Sequence, residues 1–341
     1  RSGENLGRII QLALMAREDA PDTAQEILNF IISETVSDEL KLQAHQIRLA
    51  LAQDLAKPED HKSIEEDFRN VIDTYGNGIN TLSLQIDFAN FLAFSEGKIE
   101  EAQQQLKVLL DATPGKFEEA AIKMALADIL VLDEKFNQAL IYYTQVQNLV
   151  KNDVIAQDAR FKVAKTSYFK GDFQWAKTQL DVLKSSTSQL IANDALEMSL
   201  LINDNSLEDS TQAALKGYAR ADLLSFQKKE EEAIAVLEEV LINHKTEKIE
   251  DEALLKQAEL FEKKGDYEKA EENYLRIIQF HKDGILGDNA HYRLAELYNS
   301  ELEDPEKAKE FYEKIIFDYA DSIYFVDSRK KYRELRGETI E

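Results

Sequence analysis

The sequence contains no cysteine, which excludes disulfide bonds, thiolate metal sites and cysteine nucleophiles. Only 4 prolines and 12 glycines occur among 341 residues, so helix breakers are few and loops must be short. Alternating β-branched segments are nearly absent, so essentially no β-sheet is expected. The chain is 44% hydrophobic and 31% charged, and good helix formers dominate it. These features predict a folded, all-helical protein.

Positive charge is also scarce, because 41 Lys and Arg face 65 Asp and Glu, which gives a formal net charge of −24. This balance opposes binding to a phosphate backbone over a broad surface, so nucleic acid is not expected as a partner. The excess of acids serves solubility or attracts a basic partner. No apolar run approaches the roughly 20 residues that span a bilayer, so no transmembrane segment is predicted. The chain begins at Arg1 rather than Met, and we expect that it has been processed or trimmed.

A small residue followed by large apolar residues four and seven positions later recurs along the chain. In the clearest copy these are Ala270, Tyr274 and Ile277, which share one helix face. The first residues of the copies, with Ile in one of them, are Ala24, Ile64, Ala102, Ala139, Ala176, Ala233, Ala270 and Ala308. The steps between them are 40, 38, 37, 37, 57, 37 and 38 residues. Such a near-constant period predicts an array of similar units.

A second helix precedes the first residue of most copies. Twelve or thirteen residues upstream lies another alanine, and a turn such as Lys264-Gly265-Asp266 separates the two helices. These upstream alanines are Ala89, Ala127, Ala164, Ala221, Ala258 and Ala295. Glycine in the turn allows the left-handed conformation that ends a helix. Each unit is therefore predicted to be a helix A followed by a helix B, with alanine where the two pack closely.

This pattern resembles the tetratricopeptide repeat, a helical pair with small and aromatic residues at fixed positions. The likeness covers roughly residues 80–185 and 210–319, and the first two units are degenerate. The helix-A glycine of the family is alanine here, and its closing proline is missing. The resemblance implies an all-α, tetratricopeptide-like right-handed α-solenoid of about eight helix pairs.

The 57-residue step equals 37 plus 20, so we predict one inserted helix without a partner at about 188–203. A bend or a domain boundary is expected at this insertion. The predicted domains are residues 1–186, an insert at 187–207, and residues 208–341. The predicted helices are 4–18, 22–35, 38–55, 61–75, 79–95, 98–112, 116–133, 135–150, 153–169, 172–185, 188–203, 209–227, 229–244, 248–263, 266–282, 286–300, 304–319 and 322–336.

The last predicted helix, Ser322 to Arg336, lacks a following partner and should cap the array. It carries a basic run in an acidic chain. The run consists of Arg329, Lys330, Lys331, Arg333 and Arg336. Positive charge suits the C-terminus of a helix, so a solvated cap is one interpretation. Contact with an acidic partner or a lipid head group is the other.

No motif for catalysis occurs in the sequence, neither a nucleophile elbow, a P-loop, a zinc-protease helix nor a dinucleotide-binding loop. We therefore predict no catalytic residues, no cofactor and no enzyme activity. A cluster of His281, Asp283, Asp288 and His291 fits no metal-ligand spacing and is interpreted as a polar loop.

A second polar cluster crowds oxygen-bearing side chains into one turn. It contains Asn203, Asp204, Asn205, Glu208 and Asp209. A calcium loop of the EF-hand type needs a central glycine and a glutamate in register, and neither is present. A capping turn is therefore favoured over a calcium site, and no metal is predicted.

In tetratricopeptide arrays the concave face is lined mainly by helix A, so the resemblance implies a groove that binds a protein or peptide. The candidates are Phe161, Lys165, Tyr168, Phe169, Tyr218, Asp222, Phe226, Leu255, Glu259, Glu262, Tyr292, Glu296 and Asn299. Aromatic side chains beside charges suit capture of a peptide or a helix. The alternative is that these aromatics are core between repeats. Exposure of Tyr168, Tyr218 and Tyr292 would separate the two.

The family's carboxylate clamp is not expected, because residues such as Phe161 and Lys165 stand at its positions. The last unit ends in an aromatic-x2-Ile-x3-Tyr-x2-Ser-x-Tyr phrase. Over about thirty residues this resembles bacterial envelope tetratricopeptide proteins, both outer-membrane-assembly lipoproteins and periplasmic cell-division coordinators. The resemblance favours the bacterial periplasm or cell envelope, and the cytoplasm stays open.

Three functions follow from these patterns. A non-catalytic scaffold or adaptor that binds a protein partner through the concave face comes first. A structural subunit fixed in an envelope assembly through its edges and ends is the alternative. A helical module of an enzyme whose catalytic domain is absent comes third. A small-molecule ligand is not expected.

Overall fold

The computed structural model describes residues 3–112, 115–206, 211–282 and 284–338. In these residues helices are the sole regular secondary structure. The first nine are α1 (Gly3–Asp19), α2 (Pro21–Glu34), α3 (Asp38–Leu55), α4 (His61–Tyr75), α5 (Leu82–Phe94), α6 (Ile99–Ala112), α7 (Lys116–Leu132), α8 (Phe136–Leu149) and α9 (Val154–Phe169). Single 3₁₀ turns at Pro58–Asp60 and Ile79–Thr81 precede α4 and α5.

The second nine are α10 (Phe173–Leu183), α11 (Gln189–Asn205), α12 (Ala213–Phe226), α13 (Glu230–Asn243), α14 (Ile249–Lys263), α15 (Tyr267–Phe280), α16 (Gly287–Ser300), α17 (Pro305–Asp318) and α18 (Phe325–Leu335). The all-α prediction is confirmed, and each helix begins and ends within four residues of its predicted bounds. The largest difference is the start of α12, where Gln212 adopts a left-handed conformation with φ of 52° that a helix cannot include.

From the pair α5–α6 onward, the turns between helix A and helix B share one backbone geometry. Each of these six turns contains one left-handed residue five positions before the helix-B alanine. These residues are Gly97, Glu134, Gly171, Lys228, Gly265 and Glu303. After Gly265, the amide of Asp266 donates to the carbonyl of Phe261 at 2.9 Å, which satisfies a carbonyl at the end of the helix. The repeat is therefore fixed by a backbone turn as well as by the apolar pattern.

The helix-B triads form the core of each pair. Ala270, Tyr274 and Ile277 are fully buried, and their counterparts in the other pairs are buried except Leu109, which is half-buried. Small residues at the crossing let helices pack near the short end of the usual spacing. A fully buried Tyr274 contributes about 1.5–3 kcal/mol of burial free energy.

Side-chain caps fix the starts of several B helices. The Asp172 carboxylate accepts from the Trp175 amide at 3.3 Å and begins α10. Asp304 accepts from the Lys307 amide at 3.1 Å, and Pro305 stands in the first turn of α17. Both arrangements satisfy amides that have no partner inside the helix.

The chain divides into two compact units. The first unit is Arg1–Thr166 with Ser186–Ile191, and the second is Ser167–Ser185 with Ala192–Glu341. The division therefore falls within α9 and α11. The predicted inserted helix exists as α11, while the predicted domain boundaries at 186 and 207 stay predictions. In the second unit α18 follows the last pair, and its Ser328 is buried.

Candidate partner-binding face

Ion pairs join successive A helices at a fixed position. An acid directly follows the helix-A alanine, and a base lies two residues before the alanine of the next helix A. Lys256 Nζ on α14 lies 3.0 Å from Asp222 Oδ1 on α12. Arg293 Nη2 on α16 lies 3.5 Å from Glu259 Oε1 on α14. Burial lowers the pKa of Lys256, but attraction to Asp222 outweighs it and the pKa is raised.

The same series of ion pairs, called the ladder below, continues at two other places. Within the first unit, Lys162 Nζ on α9 lies 2.6 Å from Asp128 Oδ2 on α7. In the capping helix, Lys331 Nζ lies 2.6 Å from Glu296 Oε2 on α16. The base and the acid of each pair are 34 or 35 positions apart, so the pairs follow the repeat.

Helix-A acids also accept hydrogen bonds from buried tyrosines. Tyr143 on α8 donates to Asp128 at 2.5 Å, and Tyr274 on α15 donates to Glu262 at 2.5 Å. Tyr312 donates in the same way to Glu296. A carboxylate that accepts from a tyrosine and a lysine is held in one orientation. The polar face of helix A is therefore ordered by contacts from both neighbouring helices.

Two of the three tyrosines expected at the surface are buried. Tyr168 is 0% exposed and Tyr218 is 9% exposed, so the prediction that they line an open groove surface is wrong. The Tyr168 ring packs against Phe173 at 5.7 Å between centroids, and its hydroxyl donates to Asp222 at 3.0 Å. Burial, with Asp222 adding to it, holds the pKa of both tyrosines well above the usual value. The core interpretation is correct for these two side chains.

Tyr292 on α16 is half-buried. Its hydroxyl donates to Asp327 Oδ2 at 2.6 Å, and its ring stacks on Tyr324 at 4.3 Å between centroids. Burial and the Asp327 hydrogen bond raise the pKa of Tyr292 to about 12. Asn299, two turns further along the helix, is exposed. Tyr292 therefore holds the capping helix in place and also lies at the edge of the helix-A face.

The remaining candidates fall into two groups. Phe169 and Phe226 are half-buried in the second unit, with ring centroids 6.1 Å apart. Phe161 and Lys165 are half-buried in the first unit. A role of any candidate in partner binding stays a prediction.

An open acidic cavity of about 480 Å³ lies on the α14 and α16 face of the second unit. Its lining consists of Glu259, Glu262, Lys263, Tyr267, Arg293, Glu296, Leu297, Ser300 and Glu301. Four carboxylates face two bases there. Burial raises the pKa of Glu262, although the Tyr274 hydrogen bond opposes it. Such a cavity attracts a cationic group and offers Tyr267 and Leu297 to its apolar stem.

Sequence reasoning had proposed Glu259, Glu262 and Glu296 for this face but missed Arg293, Tyr267 and Glu301. Arg293 follows from the repeat, since it lies two residues before the helix-A alanine. Tyr267 and Glu301 could not be found in this way, because Tyr267 begins helix B (α15) and Glu301 follows α16.

The first unit presents fewer charged side chains at the corresponding face. A cavity of about 330 Å³ between α1, α3 and α5 is lined by Leu14, Arg17, Gln46, Ile47, Ala50, Gln53, Asp87 and Asn90. Gln46 Nε2 donates to Asp87 Oδ2 at 2.6 Å and to Ser83 at 2.7 Å. A more apolar cavity of about 580 Å³ separates α4 from α6, with Phe88 of α5 and Val108 of α6 in its lining.

The basic run of α18 is divided between packing and solvent. Lys331 binds Glu296, and Arg333 and Arg336 lie 3.0 and 3.4 Å from Glu338 oxygens. Arg329 and Lys330 are exposed. Beside them Ile323 is 85% exposed and Val326 is 77% exposed. The outer face of α18 thus combines two cations with Val326, and the turn before the helix adds exposed Ile323.

Within the described ranges, no group of three or more His, Cys, Asp or Glu side chains is placed to hold a metal ion. His291 is buried, with Nδ1 2.7 Å from the Gly287 carbonyl, and the predicted cluster member Asp283 lies outside the described residues. Glu208 and Asp209 of the other polar cluster lie outside them too. Across this part of the chain, no helix is both long and apolar enough to cross a membrane.

Comparison with solved structures returns helical repeat proteins at low identity. A tetratricopeptide repeat protein from Parabacteroides merdae is 14% identical, with 86% of this chain and 99% of that chain covered and a TM-score of 0.33. The apo form of RapI is 11% identical, with 97% of each chain covered and a TM-score of 0.43. A Rap protein complexed with Competence and Sporulation Factor is 14% identical, with 98% of each chain covered and a TM-score of 0.38. Among curated proteins, none matches this chain.

Family models match two segments of the second unit. Residues 252–283 and 288–316 each match a tetratricopeptide repeat. The first segment contains most of α14 with all of α15, and the second contains most of α16 and α17. These are the pairs that carry the acidic cavity. The helix pairs α14–α15 and α16–α17 therefore each match the model of a tetratricopeptide repeat.

Proposed function

We propose that this protein is a non-catalytic scaffold that binds a basic segment of a partner protein on the helix-A face of its second unit. The acidic cavity carries the proposal. Its four glutamates exceed its two bases, and it is open to solvent between two tetratricopeptide repeats. Lysine and arginine side chains complement it in charge, while their stems fit beside Tyr267 and Leu297.

A direct test uses fluorescence anisotropy with labelled peptides that differ only in charge. A Lys/Arg-rich peptide should bind, and the matching Asp/Glu-rich peptide should not. Glu259→Gln with Glu301→Gln should weaken binding by about tenfold or more, since each charge-assisted contact contributes about 1 kcal/mol. Glu272→Gln on the exposed side of α15 removes a charge outside the cavity and serves as the control.

Equal binding of both peptides, or an equal loss in the control variant, contradicts the proposal. Raising the salt concentration should weaken binding of the basic peptide, because exposed charges are screened beyond about 10 Å at 0.1 M salt.

The outer face of α18 favours a second candidate, a subunit fixed in an assembly through its end. Exposed Ile323 and Val326 beside Arg329 and Lys330 suit an acidic partner with an apolar edge. Val326→Asp with Arg329→Glu should then release the protein from a stoichiometric complex in the native source while leaving basic-peptide binding unchanged. Retention of the complex would contradict this candidate.

We also place the protein in the bacterial cell envelope, on the likeness of its last unit to envelope tetratricopeptide proteins. Cell fractionation with antibodies against the native protein tests this part alone. Recovery in the cytoplasmic fraction only would overturn the location without affecting the binding proposal.

A further inference from the structure

Three successive loops of the second unit lie side by side. Each joins a helix B to the helix that follows it, and they span residues 244–248, 281–286 and 319–324. Glu250 Oε2 ties the first loop to the second, since it accepts from the Thr246 amide at 2.8 Å and lies 3.7 Å from His281 Nε2. The Tyr319 hydroxyl ties the third loop to the second, because it donates to the Lys282 carbonyl at 2.9 Å. The three loops, with the ends of the B helices that lead into them, therefore form one continuous edge, called the loop edge below.

The loop edge exposes large apolar side chains to solvent. The helices α13, α15 and α17 each end in one of them, nine or ten residues after the helix-B alanine, and two of the loops add an isoleucine. These five side chains are between 67% and 85% exposed, and they are Ile242, Phe280, Ile285, Phe317 and Ile323.

The opposite edge of the same helix pairs differs. It is formed by the turns between helix A and helix B at Lys228, Gly265 and Glu303, and the structure, which describes all three turns, shows no exposed large apolar side chain in them. Exposed apolar residues scattered singly are ordinary, but a row that repeats along one edge alone is typical of an interaction surface.

Charge is distributed unevenly along the loop edge. The first loop carries exposed Lys245 and Lys248, and the middle loop adds exposed Lys282. At the other end, Asp318 and Asp321 are exposed. Lys314 Nζ lies 3.7 Å from Asp318, whereas Asp321 makes no ion pair within the described ranges. The loop edge therefore has a basic end and an acidic end, and Phe280 and Ile285 lie between them.

This distribution favours a second copy of the chain as the occupant. The formal net charge of −24 drives copies apart over most of their surface, but exposed lysines and aspartates are similar in number along the loop edge. An anionic lipid surface would be repelled by the acidic end. A strongly basic partner would be repelled by the lysines of the first loop.

We propose that the loop edges of two copies of this chain pack antiparallel about a two-fold axis. The middle loop then meets its own counterpart, so Phe280 and Ile285 form the apolar centre. The first loop of each copy, with Lys245, faces the third loop of the other, with Asp321. A parallel arrangement would instead set like charges against each other. Lys282 extends its flexible side chain into solvent beside the axis.

The inference is independent of the proposed binding of a basic segment. The acidic cavity is lined by Lys263, Tyr267 and Glu301, which lie at or beside the turns of the opposite edge. The cavity therefore stays open in the dimer.

Sedimentation velocity of the full chain across the micromolar range tests the association. A monomer–dimer equilibrium is expected. Phe280→Ser with Phe317→Ser should raise the dissociation constant about tenfold or more, because two large side chains of each copy lose their burial. The control Trp175→Ser removes another exposed aromatic side chain, at the start of α10, and should leave the dissociation constant unchanged.

A protein that stays monomeric throughout overturns the proposal, and so does a dimer that the double phenylalanine variant forms equally well. Vesicles of phosphatidylglycerol that bind a monomeric wild type but not this variant would assign the loop edge to a lipid surface instead. Circular dichroism checks that each variant keeps its helices.

Charge reversals test the antiparallel arrangement. Lys245→Glu and Asp321→Lys should each weaken the association several-fold, although they change the net charge in opposite directions. An equimolar mixture of the two variants should restore the dimer, because each copy then offers the charge that the other needs. Stronger association of Asp321→Lys alone, which general repulsion between acidic chains predicts, contradicts the proposal. A mixture that associates no better than the single variants contradicts it too.

Discussion

The helix-A faces of the first and second units share a backbone period but differ in chemistry. In the first unit an amide joins α3 to α5, from Gln46 to Asp87, and one ion pair joins α7 to α9, from Lys162 to Asp128. In the second unit ion pairs make the links between successive A helices, from Lys256 to Asp222 and from Arg293 to Glu259. The less charged face of the first unit suits hydrogen bonding to a peptide backbone, whereas the acidic face of the second suits basic side chains.

The difference teaches which positions of the repeat are free to change. The alanines and the aromatic residues behind them are buried in both units, because close helix packing needs them. The position just after the helix-A alanine is half-buried rather than buried in the six pairs, and its residue sets the chemistry of each unit. A variant that exchanges those residues should therefore change binding and pH response without changing the fold.

The largest effect is expected in the pH dependence of stability. Burial beside Asp251 raises the pKa of Glu252 in the second unit to about 9, and burial also raises the pKa of Asp87 in the first unit. Between the unfolded and folded pKa the native state holds a proton that the unfolded state has lost. Stability should therefore fall as pH rises from about 5 to 9, by at most about 1.4 kcal/mol per pH unit for Glu252.

Urea unfolding across this pH range measures the slope. Glu252→Gln should flatten it and stabilise the protein most at high pH, and Asp87→Asn should flatten it less. A slope that Glu252→Gln leaves unchanged would assign the proton to another group.

Removal of a paired carboxylate should come next. Asp222→Ala leaves both Lys256 and Tyr168 without their acceptor and should cost about 2–3 kcal/mol. Asp87→Ala removes one acceptor of the neutral Gln46 amide and should cost about 1 kcal/mol. Urea unfolding of both variants at neutral pH measures the difference, and equal losses would show that the ion pairs add nothing over the amide contacts.

Turn substitutions should have a smaller and equal effect in both units. A side chain at Gly97 or Gly265 meets no atom within 4 Å, so only the left-handed backbone opposes it. Gly97→Ala and Gly265→Ala should each cost about 1 kcal/mol. Glu134→Gly, at the same turn position, should stay near zero because relief of strain offsets the added flexibility of the unfolded chain. Thermal unfolding of the three variants checks this, and a loss in Glu134→Gly would contradict it.

Surface ion pairs should matter least. Lys263 Nζ lies 2.5 Å from Glu230 Oε1, but Lys263 is exposed to solvent. Lys263→Ala should change the free energy of unfolding by less than about 0.5 kcal/mol. A larger loss in urea unfolding would mean that this pair belongs to the ladder of the second unit.

The order of the helices could be predicted from the sequence, because a small residue followed by large apolar residues marks each helix pair and recurs at a near-constant spacing. Ala270 and Tyr274 have counterparts in the other pairs because helices A and B pack closely at these positions, and the same packing buries them in the core. The left-handed turn residues could be predicted only in part. Glycine indicates a left-handed conformation at Gly265, whereas the residue types of Glu134 and Lys228 do not indicate one. Their conformation is imposed by the helices on either side.

The candidate site was predicted less well. Tyr168 and Tyr218 lie on helix A with charged residues nearby, which favoured a groove position, yet Asp222 supplies the acceptor that lets Tyr168 be buried. Asn205 and Glu252 are 47 positions apart and belong to no common pattern, so only the folded chain shows that they come together. Contacts between residues that lie a fixed repeat length apart can be predicted from the sequence, but contacts across the inserted helix cannot.

The cap at the start of α10 has a practical consequence. It positions Trp175, the single tryptophan of the chain, which is 49% exposed and belongs to the second unit. Tryptophan emission therefore reports on one unit, whereas far-ultraviolet circular dichroism sums the helices of both. Unfolding curves recorded in parallel by the two signals distinguish a loss confined to the first unit from one in the second.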